Sequence, residues 1–267
     1  MISLIIVGFI ENNICLYIIN QKMFVLDMIL NESATISFIN LVSTMNDMTK
    51  NIEMTFRRNG LSMTIEYKEM HNDFHIVILE DKFQSYLCDV DEIQLTMNVN
   101  KFYSIMKNMI NNKLHLAIHK SHYNENEFME GVTPYIMIFH DVFSMITCKE
   151  DFWLNYEKEE YKEASIFEIK RSKFNKLVKT LYNLSDRALI TCSNNKLIFN
   201  SSGVEITPDQ KLIKSCVNIN HSVDLSFLVQ CENLQYNNVF LILTEDLFQS
   251  AYRIKNLGIF YLNIWNH

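Results

Sequence analysis

The sequence predicts an α+β fold of two similar domains, each built from antiparallel sheets and two helices, and three observations carry that prediction. A strand, a helix and a cluster of strands recur about four times, around helices near positions 33, 100, 172 and 227. The acidic stretch 150–164, EDFWLNYEKEEYKEA, breaks the recurrence midway. With 48% hydrophobic and 12% aromatic residues, the 267-residue chain can bury a core large enough for one large or two medium domains. The boundaries that follow are an N-terminal extension at 1–22, a first domain at 23–149, a connector at 150–164 and a second domain at 165–267.

Taken in order, residues 1–22 open with an apolar run, Ile2 to Ile10, that is too short to span a bilayer and is interrupted by Glu11, Asn12 and Asn13. No basic segment precedes it, so neither a signal peptide nor a membrane role is expected, and an added strand or an upstream start codon explains it instead. A strand at 23–30 leads into a helix from about 32 to 47, capped by Asn31 or Ser33. Phe38, Ile39, Val42 and Met45 form its buried stripe, with Ser37, Asn40, Ser43 and Thr44 on the opposite face. Strands follow near 52–57, 61–67, 74–79 and 83–89, each punctuated by Gly, Asn or Asp.

The second round has a strand at 93–99 and a helix from 100 to about 111. Its inward side holds Phe102, Ile105, Met106 and Met109; Ser104, Lys107 and Asn111 lie opposite, with Lys101 at the edge. Strands at 113–119, 135–141 and 143–149 close the round. The connector then reads as a solvated acidic linker tacked down by aromatics.

The third helix, 172–183, is the most sharply patterned. Phe174, Leu177, Val178 and Leu181 share one face, and Lys173, Lys176 and Lys179 share the other. Strands at 187–193 and 196–201 follow, joined through Ser193-Asn194-Asn195, residue types that tolerate turn geometry. The last round reads as strands near 211–219 and 223–227, a short helix to about 236, and three strands ending at Trp265. Glu232, Asn233 and Tyr236 are placed on the face of this fourth helix that corresponds to the lysine face.

A net charge of −7 and a pI near 5.6 argue against an ordinary nucleic-acid binder, whose affinity rests on an excess of Lys and Arg. They do not exclude a protein that surrounds a duplex with a locally basic inner surface and an acidic exterior. Six cysteines, at 15, 88, 148, 192, 216 and 231, form no C-x-x-C pair, which fits reduced thiols. His71 and His75, and His115, His119 and His122, lie close in sequence, but i and i+4 on a strand stand over 10 Å apart at about 3.3 Å per residue, so no metal site is expected. No phosphate-binding Gly loop, nucleophile elbow or H-E-x-x-H is present, and no cofactor or catalytic residue is expected.

Three stretches resemble the proliferating cell nuclear antigen (PCNA) family of sliding clamps. Residues 167–203 are similar to the start of that family's second domain. Asn59-Gly60-Leu61 through Phe83, Tyr86, Cys88 and Asp89 resembles its S-G-V to F-x-x-Y-x-C-D run, and 241–258 resembles its closing strand pair with L-G before the final strand. The resemblance covers the chain from about Met23 to its end. It implies a sliding-clamp fold and a non-enzymatic processivity factor. It further implies a ring, of three copies in PCNA, that threads double-stranded DNA in the nucleus or at a viral replication site. A clamp loader, a DNA polymerase and other partners docking through short peptides are implied with it. Lys101, Lys107, Lys173, Lys176 and Lys179 would face DNA, and Trp153, Leu154, Tyr156, Phe248 and Trp265 would receive partner peptides. Closing edges are expected at 135–140 and after Gly203, where Pro208 shortens the strand. Alternatives are a checkpoint-type clamp subunit, a viral processivity factor that is not a ring of three, and a β-rich interaction protein without DNA binding. The first helix departs from the family by lacking lysines, and Phe248, Trp265 and Asn266 stand where the family has a proline, a small residue and a proline.

Overall fold

The computed structural model describes residues 24–67, 72–108, 113–120, 135–139, 144–147, 164–214 and 218–265. The first half runs β1 (Phe24–Leu30), α1 (Glu32–Met48), β2 (Asn51–Arg57), β3 (Gly60–Tyr67), β4 (Asn72–Leu79), β5 (Ser85–Cys88), β6 (Glu92–Asn98), α2 (Val99–Met106), β7 (Leu114–His119), β8 (Tyr135–Phe139) and β9 (Ser144–Thr147). The second runs β10 (Ser165–Lys170), α3 (Arg171–Tyr182), β11 (Arg187–Ser193), β12 (Lys196–Ser201), β13 (Val204–Ile206), β14 (Lys211–Lys214), β15 (Ile219–Asp224), α4 (Leu225–Gln230), β16 (Tyr236–Leu243), β17 (Leu247–Ile254) and β18 (Gly258–Trp265). The two halves therefore have the same element order, strand for strand and helix for helix.

Pairing repeats as well. A nine-stranded sheet, β14-β10-β16-β17-β18-β4-β3-β2-β6, crosses from one half to the other through the antiparallel junction of β18 with β4. The other strands form a five-stranded sheet, β5-β1-β7-β8-β9, and a four-stranded sheet, β13-β12-β11-β15. Counterpart for counterpart, the five-stranded sheet matches β14-β10-β16-β17-β18 and the four-stranded sheet matches β4-β3-β2-β6. One nine-stranded sheet is thus complete inside the chain, and its twin is present as two pieces ending on β9 and β13.

Local chemistry explains the strands. Alternation in β2 buries Ile52, Met54 and Phe56, and in β6 Ile93, Leu95 and Met97. Asn194 and Asn195 sit at φ 49° and 64° in the β11–β12 turn, a conformation that asparagine reaches more easily than most residues. At the junction Gly258 is required by contact, because a Cβ there would collide with the Val77 carbonyl oxygen across the strand pair. Beneath it, rings from both halves pack together: Phe74 lies 5.4 Å from Phe260 and 5.8 Å from Phe227, and Tyr252 lies 5.7 Å from Phe260. The F-x-x-Y-x-C-D run has a structural role. Tyr86 donates to the carbonyl oxygens of Arg57 (2.7 Å) or Gly60 (2.8 Å), tying β5 to the β2–β3 turn.

Several expectations need correction. The helix expected at 100–111 ends at Met106 with Lys107 as its C-cap, and Met109 and Asn111 fall outside the described residues. The run 211–219 is two strands in different sheets, β14 beside β10 and β15 beside β11. Of residues 223–227 only Val223 and Asp224 are strand, the end of β15: the chain turns helical at Leu225, where the Asp224 carboxylate accepts from Ser226 N at 2.9 Å, and Phe227 belongs to the helix core. A short 3-10 turn, Cys231–Asn233, follows α4, and Tyr236 is a buried residue opening β16 rather than part of a helix face. Ser37 and Thr44 of α1 are buried, because α1 has α2 on one flank and α4 on the other. Ser37 donates to the Lys255 carbonyl oxygen at 2.9 Å.

Candidate nucleic-acid interface and outer face

The helices form a layer over the sheets in the order α2, α1, α4, α3, with contacts between α2 and α1, α1 and α4, and α4 and α3. Their cations are distributed unevenly. α1 and α4, with its 3-10 turn, carry no Lys or Arg. Lys101 and Lys107 belong to α2, and Arg171, Lys173, Lys176 and Lys179 to α3.

α3 folds as its spacing requires. Phe174, Leu177, Val178 and Leu181 are buried, which leaves Lys173, Lys176 and Lys179 exposed on the opposite face. Lys101 and Lys107 are exposed too. Sequence reasoning missed what two of the stripe lysines touch. Lys173 Nζ pairs with Asp209 Oδ2, and Lys179 Nζ pairs with Glu232 Oε1 at 2.6 Å. The lysine at Asp209 holds that exposed carboxyl below the usual carboxylate range, by hydrogen bond first and charge second. Glu232 is itself anchored: its carbonyl oxygen accepts from Arg171 Nη2 at 3.1 Å, and the Arg171 guanidinium lies 5.3 Å from the Tyr236 ring centre. Lys176 has no carboxylate partner among the described residues. No local signal could have disclosed the Lys173–Asp209 pair, whose members lie 36 positions apart.

Trp153, Leu154 and Tyr156 lie outside the described residues. Phe248 is fully buried and alternates with Ser250 and Tyr252, whose ring meets Phe174 of α3 at 6.4 Å. Strand alternation therefore aims Phe248 at the helix layer and Leu247 at the opposite face, where Leu247 is itself buried and its register partner Trp265 is half-buried. A polar row crosses the junction beside that pair. Gln249 Nε2 donates to Asn263 Oδ1 (2.7 Å), Asn263 Nδ2 to Asp73 Oδ1 (2.6 Å), and Trp265 Nε1 to Asp73 Oδ2 (3.3 Å). A cavity of about 160 Å³ adjoins it, lined by Glu53, Arg57, Thr64, Asp73, His75 and Leu79 among others. Burial, and after it the Arg57 charge, lowers the His75 pKa to about 4.

The remaining histidine chemistry is structural: His75 Nδ1 meets Thr64 Oγ1 at 3.2 Å, and His115 Nε2 meets Asp27 Oδ1 at 2.5 Å across β1 and β7. His71 and His122 lie outside the described residues, and among those described no three His, Cys, Asp or Glu side chains gather as a metal site would need. Cys88, Cys192 and Cys231 are buried free thiols. No described helix is long and apolar enough to cross a membrane. The closing edge expected at 135–140 is displaced by one strand: β8 is internal to its sheet, and β9 forms the edge. The second edge, after Gly203, is β13, three residues long.

No family model and no curated protein matches the chain in sequence. Solved structures match it in fold. A proliferating cellular nuclear antigen from Entamoeba histolytica superposes with a TM-score of 0.71 at 14% identity, covering 92% of this chain and 100% of that one. The PCNA2–PCNA3 complex from Sulfolobus tokodaii gives 0.68 at 13% identity, covering 90% and 98%. The chain has the PCNA sliding-clamp fold.

Proposed function

We propose that this chain is a DNA sliding clamp, a non-catalytic processivity factor that closes around duplex DNA and holds a polymerase to it. The observation that carries this reading is the incomplete second sheet. The chain joins five strands to four at β18 and β4, and presents the same five and the same four, unjoined, at β9 and β13. Pairing β9 of one copy with β13 of the next would complete a nine-stranded sheet across the boundary, satisfying edge N–H and C=O groups that are otherwise left open. Repeating that step with the family's three copies closes a ring.

The helix layer supports the DNA assignment. Its lysines point away from the sheets, and a ring would turn them toward its hole. Because two of the three stripe lysines of α3 already hold carboxylates, direct affinity for phosphate should be low and retention should come from encirclement. Partner peptides, including the polymerase's, would dock on the outer face near Trp265, with the connector residues Trp153, Leu154 and Tyr156 contributing. The buried free thiols fit a reducing compartment such as the nucleus or a viral replication site.

The test is topological. The protein is loaded with a clamp loader onto nicked circular DNA, which is then cut once. A clamp stays on the circle through moderate salt and runs off after linearisation; equal retention on circle and line would mean direct binding and end the proposal.

One feature favours a second reading, in which closure is weak or needs a different chain. β13 has three residues and β9 four, whereas β4 and β18 have eight each. Light scattering across concentrations separates the two: a stable ring keeps the mass of several copies on dilution, a weak one falls toward a single copy, and a chain that needs a different partner has the mass of a single copy throughout.

A further inference from the structure

Resting on the clamp reading, we propose that the DNA-binding patch is not contained in one chain: it is completed where α2 of one copy meets α3 of the next. The internal junction supplies the geometry. Where β18 pairs with β4, the helices that come into contact above it are α4 of the second half and α1 of the first. The counterparts of β18 and β4 are β9 and β13, and the counterparts of α4 and α1 are α2 and α3. α2 already packs on the edge strand β9, and α3 packs on β12, the neighbour of the edge strand β13. Joining β9 to β13 of another copy therefore sets α2 beside the partner copy's α3.

Charge makes the two junctions different. The internal one brings together α1 and α4, which with the 3-10 turn carry no cation and include Glu32, Asp47 and Glu232. The one between copies brings together Lys101 and Lys107 with Lys173, Lys176 and Lys179, every lysine of the helix layer. A lone copy holds these groups at opposite ends of its row of four helices, with a neutral to acidic middle between them. An assembled ring would hold one concentrated basic cluster per boundary, separated by stretches that do not attract phosphate. The ligand is the phosphate backbone of a duplex, contacted without reference to base sequence.

Complementation tests this. K101A/K107A removes the α2 half of the cluster, and K173A/K176A/K179A removes the α3 half, all at exposed positions where Ala preserves a helix. Each protein alone should bind a short duplex with a shallower dependence of log affinity on log salt, by up to about 0.9 for each phosphate no longer neutralised. Mixed under conditions that exchange copies, the two restore complete clusters where an intact α2 meets an intact α3, so the mixture should bind more tightly than either protein alone. A mixture that returns the mean of its components, or a protein that remains monomeric while binding DNA at full strength, overturns the composite patch. If neither variant weakens binding, the assignment of these lysines to DNA falls as well. If both weaken it and mixing restores nothing, that assignment stands and only the shared patch is overturned.

Discussion

On the proposed reading, Asp209 and Glu232 occupy the places that phosphate oxygens would take against Lys173 and Lys179. Exposed ion pairs of this kind are weak, so a duplex could displace them, but each would lower the gain from doing so. The variant D209N/E232Q should therefore bind a short duplex more tightly and steepen its salt dependence, at about 0.9 for each lysine released to a phosphate; an unchanged slope would show that these carboxylates do not compete. K176A, which removes the stripe lysine without a carboxylate partner among the described residues, should cost more DNA affinity than K173A or K179A in the same titration. His75 makes a different prediction. Its folded pKa of about 4 lies below the ordinary 6.5, so between these values the unfolded chain binds more protons than the folded one. Stability from keeping His75 neutral is fully present above about pH 6.5 and declines as pH falls toward 4, by up to roughly 3 kcal/mol. Denaturant melts should show the parent protein losing stability relative to H75Q as pH falls across that window; parallel curves would rule the effect out. The lysine face is legible in the sequence because helical period alone sorts Lys173, Lys176 and Lys179 from Phe174, Leu177 and Leu181. The carboxylates are not, since an ion pair between distant segments leaves no trace in local sequence.

Among the elements, legibility follows how many sides each one buries. α3 lies at the end of the helix row and keeps a solvated face, so its pattern reads directly. α1 lies in the middle, flanked by α2 and α4, and its small polar residues Ser37 and Thr44 are buried by neighbours that periodicity cannot foresee. The run 211–219 reads as one strand because apolar and β-branched content is the same whichever sheet a strand joins, while β14 and β15 belong to different sheets. At 223–227, Asp224 is the available sign of a helix start, outweighed in the sequence by the strand-like Val223, Leu225 and Phe227. Phe248 shows how little a strand residue's type says about its exposure: both Phe248 and its neighbour Leu247 are buried, on opposite faces of β17, and the half-buried residue nearby is Trp265. A crosslinker placed at Trp265 should capture a clamp-binding peptide more efficiently than one at the exposed Arg253 on the same strand pair, and equal capture at both would remove the outer-face groove.

For the whole molecule, the proposed external junction would be the internal joint made a second time, and the two should fail differently. The repeat is visible in the sequence as a recurring strand, helix and strand cluster. Which edge stays open is not, because β8 and β9 are both short apolar strands and only pairing order tells the inner from the outer. At the internal joint, Gly258→Ala forces a Cβ into the Val77 carbonyl oxygen, at a point where the two halves share aromatic packing. Overpacking of that kind costs about 1–3 kcal/mol, so the variant should melt at a lower temperature at every protein concentration. At the external joint, Glu205 is the useful position. β12 and β13 flank the two-residue turn Ser202-Gly203 with Ser201 opposite Val204, so by antiparallel alternation the N–H of Glu205 points out of the sheet, toward the proposed partner strand. Proline is tolerated on an edge strand but cannot donate there, so Glu205→Pro should leave the melting of the isolated chain nearly unchanged while abolishing assembly and retention on circular DNA. Light scattering and calorimetry on the two variants decide between one joint and two. If Glu205→Pro assembles and slides like the parent, β13 is not the closing edge, and the equivalence between β9·β13 and β18·β4 does not extend beyond a single chain.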